Sequence, residues 1–144
     1  MAYALKGNNY CINLAVSEHN ACIEGGSFGE ISLCKTVLFD MRIKRMSDGE
    51  SISVGSMSNW ANVTFAQYAT TAEIYFAEPD GISDIGVLLC AKIEENGVKW
   101  SVEVTNDNCG MSVMEVKYPM PRVKGKDIDF FHRCSYFTVF KPQA

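Results

Sequence analysis

Apolar and polar residues alternate with a period of two along much of this chain, the signature of half-buried β-strands. Tyr10–Val16 places Tyr10, Ile12, Leu14 and Val16 on one side, and Gly25-Gly26 is predicted to close the segment that follows. In Ile31–Arg45 the odd positions run Ile31, Leu33, Lys35, Val37, Phe39, Met41 and Ile43, with Asp40, Arg42 and Lys44 between the last of them. That pattern predicts one strand with a wet face, ended by a turn at Asp48-Gly49.

The strongest local signal is a hairpin over residues 84–105. Asn-Gly is the preferred pair for a two-residue type I′ turn, because both central positions need positive φ. Centring the turn on Asn96-Gly97 pairs Glu95 with Val98. Ile93 then faces Trp100, Ala91 faces Val102 and Leu89 faces Val104 on the apolar face. Glu94 faces Lys99, Lys92 faces Ser101, and Cys90 faces Glu103 on the polar face. A one-residue slip would oppose apolar to polar side chains, so the facing is well specified.

Glu78-Pro79-Asp80-Gly81 predicts a tight turn separating Thr71–Ala77 from this hairpin. Met111–Tyr118 reads as a strand stopped by Pro119 and Pro121, leaving Pro119–Gly125 as a loop or an edge. Phe130–Phe140, rich in Phe, Tyr and Val, reads as the last strand. No window long enough for a stable helix shows apolar residues at a spacing of roughly 3.6. The fold class is therefore all-β, an antiparallel β-sandwich of about eight to ten short strands with little or no helix.

Composition narrows the function more than the fold. A chain of 144 residues fits a single domain, and 47% hydrophobic with 21% charged residues excludes a disordered chain. A net charge of −4 gives no counterion-release drive toward nucleic acid. No apolar run is long enough to span a bilayer, and the first twenty residues lack a signal-peptide pattern. The six cysteines (Cys11, Cys22, Cys34, Cys90, Cys109, Cys134) are widely spaced and include no CxxC pair. They are expected to be reduced, small buried hydrophobes in a cytoplasmic protein, with a disulfide set as the alternative.

Each candidate for chemistry has a structural reading beside it. His19 with Cys22, and His132 with Cys134, are the His/Cys neighbours, but neither pair has a recognised zinc spacing. Cys134 beside His132 is also the one nucleophile candidate, set in an aromatic run that reads as core. Glu73, Glu103 and Glu115 lie mid-strand, where solvated sheet surface is the alternative to paired catalytic carboxyls. Lys117, Arg122, Lys124 and Lys126 form either a solvated loop or a docking surface for another domain. No catalytic residue, metal site or cofactor is assigned.

Sugars stack their apolar faces on exposed rings, with polar neighbours holding the hydroxyls. Trp100 points with Ile93 and Val102 toward the core. Trp60, in the polar stretch SMSNWANVT, is the better platform, against packing at a sandwich edge. Trp60 and Tyr68 are accordingly the candidate ligand-binding residues, with Tyr75 a weaker one.

The stretch Gly86–Tyr118 followed by Pro119 resembles the N-terminal β-sandwich of large glycoside hydrolase-like proteins. The matching residues are Val98, Trp100, Val102, Val104 and Asn106 in the hairpin, then Val113, Val116, Tyr118 and Pro119. Leu38–Ser51 resembles the strand and turn that precede them. The resemblance implies a supersandwich similar to galactose mutarotase, followed by a (β/α)8 barrel whose strands carry the catalytic acids. None of the matched positions is catalytic or metal-binding in that family, so no site residue carries over.

Residues 1–144 are thus expected to be one β-sandwich domain, truncated relative to a full supersandwich and excised from the N-terminus of a longer protein. Its expected role is non-catalytic: packing against the downstream catalytic domain of the same polypeptide and contributing to carbohydrate binding. Glycosidic bond hydrolysis would belong to residues outside this chain. Two alternatives stay open, a stand-alone carbohydrate- or small-ligand-binding module and a structural protein. The latter would self-associate through sheet edges and a methionine-rich surface, and the excised domain itself would form a homodimer through any apolar face that excision leaves exposed. No nucleic acid and no membrane is expected as a partner.

Overall fold

The computed structural model describes residues 1–119 and the backbone of 139–142. Among them there are thirteen strands and no helix, so the all-β reading holds with more strands than the turn spacing suggested. The first sheet is built from β1 (Ala2–Gly7), β2 (Tyr10–Val16), β3 (Ala21–Phe28) and β4 (Ile31–Leu33) in that order, with β5 (Thr36–Val37) also on β3. A second runs β13 (Val139–Pro142), β11 (Gly97–Asn106), β10 (Ile85–Glu94), β9 (Thr71–Pro79), β8 (Trp60–Tyr68). A third, of three strands, runs β12 (Met111–Lys117), β6 (Asp40–Arg45), β7 (Ser51–Gly55). Neighbours are antiparallel except β11 and β13, which are parallel. No helix of the described residues is long and apolar enough to cross a membrane.

All three sheets feed one core, which makes the architecture a β-sandwich. Leu5, Ile12, Leu14 and Ile23 come from the first sheet, Ile74, Phe76, Val87 and Leu89 from the second, and Met41, Ile43 and Val54 from the third. At the centre stand Trp60, Phe39 and Phe76, each 0% exposed. Phe39 meets Phe76 edge-on with ring centroids 4.9 Å apart, and Trp60 lies 5.3 Å from Phe76 and 5.9 Å from Phe39. The buried indole N–H is satisfied, donating to Gly55 O at 2.8 Å. Tyr3 on β1 stacks on Phe65 of β8 at 3.6 Å, closing the first sheet against the second.

The strand at Tyr10–Val16 has the predicted facing, with Tyr10, Ile12, Leu14 and Val16 all buried. Asp48-Gly49 does turn β6 into β7, with Gly49 at φ 74°. Three local expectations need correction. Ile31–Arg45 is not one strand but β4, β5 and β6, shared between two sheets. The break falls where Leu38 and Phe39 are both fully buried in succession, which a period of two forbids. Leu38 N–H donates to Ser56 Oγ and Phe39 O accepts from Ser56 N–H, so the crossing backbone is paired without a ladder.

Gly25-Gly26 lies inside β3 rather than ending a segment. Asn13 pairs with Gly25 but Leu14 with Ile23, so Glu24 is the extra residue of a bulge. Gly26 has φ 138°, and a Cβ there would stand 2.1 Å from Cys11 O, so the close approach of β2 requires glycine.

The hairpin of β10 and β11 exists with the predicted faces, yet its register differs by two residues. Glu94 pairs with Gly97, Ile93 with Val98, Ala91 with Trp100 and Leu89 with Val102. The turn residues are Glu95 and Asn96, and neither Asn96 nor Gly97 adopts positive φ. The cause is tertiary. Tyr10 donates its hydroxyl to Glu94 O (2.6 Å) and approaches Gly97 O (3.0 Å), while Asn8 N–H donates to Glu95 O at 2.8 Å. Lys92 now faces Lys99, and Glu94 reaches Lys99 diagonally at 3.8 Å.

Trp100 is half-buried against the core rather than enclosed in it. Of the five described cysteines only Cys22 is buried; Cys11, Cys34 and Cys90 are half-buried and Cys109 is exposed, and all five are unpaired. The reading of the cysteines as buried hydrophobes therefore holds at one position. Pro119 follows Tyr118 through a cis bond. The remainder of Pro119–Gly125 and residues 130–138 of the predicted last strand lie outside the described residues.

Candidate ligand-contact face

Strand alternation sends Ile74, Phe76, Val87, Leu89, Val102 and Val104 inward, so their neighbours form the outer face of the second sheet. Register sets the rows of that face. Thr64, Tyr75, Leu88 and Glu103 line up across β8, β9, β10 and β11; Ala66, Glu73, Cys90 and Ser101 form the next row. Asn62, Ala77, Gly86 and Thr105 form the row on the other side.

Tyr75 does not stand off this surface. A Cβ on Gly86, diagonally across on β10, would come within 2.5 Å of Tyr75 Oη, 3.2 Å of Cζ and 3.3 Å of Cε1. The ring leans over the glycine, covering its bare backbone, as aromatic residues do beside strand glycines. It remains 42% exposed, so solvent reaches the side turned away from the sheet.

Beside it, Cys90 is flanked by Glu73 in its own row and Glu103 in the next. Burial pushes its thiol pKa up and the Glu73 charge adds to this. A hydrogen bond with Ser101 opposes the rise, and the Glu103 charge adds again. Cys90 is thus held as a neutral thiol, unsuited to nucleophilic attack at neutral pH. The arrangement offers a ring for stacking, and carboxylates and a threonine hydroxyl as hydrogen-bond acceptors, on the outer face of one sheet.

The two residues expected to contact ligand are placed very differently. Trp60 is at the centre of the core with no ring surface in solvent, so it has the packing role and leaves no face for a sugar. Its polar neighbours misled because they belong to a turn and to the outer side of β8. Tyr68 is 61% exposed where β8 turns into β9, on the outer side with Tyr75 but four residues further along the ladder. Gly86 was the overlooked signal: a glycine inside an apolar strand marks a close approach.

The remaining candidates are engaged elsewhere. His19 Nδ1 lies 2.9 Å from Trp60 O, and Cys22 donates to Glu24 Oε2 at 3.4 Å, with burial as the first cause of its raised thiol pKa. Among the described residues no three metal-ligating side chains converge. Glu115 sits on the third sheet, 3.7 Å from both Arg42 and Lys117, away from Glu73 and Glu103. With Asp40, Met41 and Ser53 these line a polar hollow of about 170 Å³. His132, Cys134, Arg122, Lys124 and Lys126 lie outside the described residues. Comparison with known proteins finds no matching family model, curated protein or solved structure.

Proposed function

We propose that this chain is a non-catalytic β-sandwich module that contacts carbohydrate through the outer face of its second sheet, with Tyr75 as the stacking platform. The observation that carries this reading is the ring of Tyr75 leaning over Gly86, held against the sheet on one side and open on the other. A ring fixed in that way loses little conformational freedom on binding. Glu73, Glu103 and Thr64 around it accept hydrogen bonds from sugar hydroxyls. The resemblance of the β10–β12 region to the N-terminal sandwich of glycoside hydrolase-like proteins supports a role beside a catalytic barrel of the same polypeptide, which would supply the hydrolysis. Four of the nine residues carrying that resemblance, Val102, Val104, Val116 and Tyr118, are buried. Five unpaired cysteines fit a reducing, cytoplasmic setting.

The test is a chemical-shift titration with a panel of mono- and oligosaccharides. Shifts centred on Tyr75 and Leu88 are expected, and Tyr75→Ala should weaken binding by about 0.5–1.5 kcal/mol, roughly twofold to twelvefold. Shifts clustering elsewhere, or none at millimolar sugar, would remove the proposal.

A further inference from the structure

The Asn96-Gly97 pair is the single Asn-Gly in the sequence, and the fold does not use it for what such pairs ordinarily do. Neither residue adopts positive φ, and a Cβ on Gly97 would meet nothing within 4 Å. Neither backbone conformation nor space therefore calls for glycine. What glycine does there is leave no side chain over the peptide that joins it to Asn96, at the last pair of the ladder, Glu94 with Gly97. Asn96 is exposed at the tip of the hairpin, where residues 94–99 line an open recess of about 550 Å³ that admits water.

We propose that Asn96 is a modification site, converting spontaneously to isoaspartate in the folded protein. When the end pair Glu94–Gly97 opens, the Gly97 nitrogen loses its proton to solvent base and bonds to Cγ of Asn96. The Cγ–Nδ2 bond breaks and ammonia leaves, giving a cyclic imide. Water then adds to one of the two imide carbonyls and opens the ring to aspartate or isoaspartate at position 96. Because the attacking nitrogen must be deprotonated, conversion accelerates as pH rises.

The site is coupled to the fold by the clamp beside it. Tyr10 holds Glu94 O and Gly97 O, and Asn8 holds Glu95 O, so three carbonyls around the turn have fixed positions. Isoaspartate routes the main chain through Cβ and adds one backbone carbon between two of those carbonyls, and all three can no longer be met. Aspartate leaves the backbone path unchanged and adds only a charge beside Glu94 and Glu95. Conversion to isoaspartate thus releases the hairpin tip from the first sheet, whereas plain deamidation does not.

The experiment is peptide mapping by mass spectrometry after incubating the folded chain at neutral pH, with isoaspartate scored by methyltransferase labelling. The gain of one dalton is expected first at position 96, well ahead of exposed Asn59, and to slow sharply in Gly97→Ala, which the turn accommodates. A rate at position 96 no faster than at Asn59, or conversion only in denaturant, overturns the site. The purified isoaspartate form should melt below the unmodified chain while Asn96→Asp melts with it. Equal melting of all three overturns the release of the clamp.

Discussion

The β6–β7 hairpin obeys its Xaa-Gly turn signal and the β10–β11 hairpin does not. Between β6 and β7, Gly49 takes φ 74°, and the chain reverses as Asp48-Gly49 suggests, with Arg45 N–H bonded to Glu50 O. Arg45 also bridges Asp48 and Glu50 at 3.1 and 3.0 Å, so this turn is held mainly by its own residues, with one distant bond from Met46 N–H to Gly110 O at 2.9 Å. Between β10 and β11 the Asn-Gly pair is a stronger local signal, yet the turn moves back by one residue and the register by two. There the carbonyls of the turn are claimed by Tyr10 and Asn8, roughly eighty residues earlier in the chain. A local turn preference decides the geometry until a distant donor offers buried hydrogen bonds worth as much. The two-residue step also preserves which side chains face the core, so the shift leaves the apolar face intact.

This contrast can be broken from either side. The largest effect is expected from Gly7→Ala, whose Cβ would meet Tyr10 Cε1 at 2.0 Å and Glu95 O at 2.7 Å, driving the tyrosine off the turn. Chemical denaturation should report a loss of about 1–3 kcal/mol, typical of overpacking. A loss under a few tenths would mean that the clamp does not govern the hairpin. Next comes Gly49→Ala, which places a side chain at φ 74° and should cost about 1–2 kcal/mol without altering β10 or β11. Amide shifts moving in both hairpins would contradict the independence of the two turns.

Tyr10→Phe is the sharpest and smallest of the three, removing one hydroxyl for about 1 kcal/mol. It also carries a pH signature. Burial, opposed by the hydrogen bond to Glu94 O, raises the Tyr10 pKa above its ordinary 10.0. The native state then holds the phenolic proton more tightly than the unfolded chain does. The stability this provides is complete below pH 10.0 and is lost as pH climbs through the raised value. Melting curves across that range should show an alkaline decline that Tyr10→Phe flattens; an unchanged decline would assign it to other groups.

What could be read from the chain divides along the same line. Tyr10–Val16, the Asp48-Gly49 turn, β12 and the inner face of β10 and β11 were legible, because alternation or a turn residue specifies each within a few positions. The crossing at Leu38 and Phe39 was not, since two consecutive buried residues at a corner leave no periodic trace. Nor was the fate of Trp60, whose indole is enclosed by Phe39 and Phe76 and satisfied by Gly55 O, all placed by tertiary structure. Tyr75 over Gly86 required the register of β9 against β10, which the turn signal at Glu78-Pro79-Asp80-Gly81 does not fix by itself.

The Tyr10 clamp bears finally on the order of folding. Its hydroxyl meets carbonyls 84 and 87 positions away, so these contacts form only after a long loop has closed, at a considerable entropic cost. Residues 85–106 can pair much earlier, while the Asn-Gly preference is still unopposed and favours the other register. The hairpin would then form two residues out of step and slide into place when β2 arrives. Because the slide keeps every apolar side chain on its own face, it needs only the ladder to break and not the core to empty.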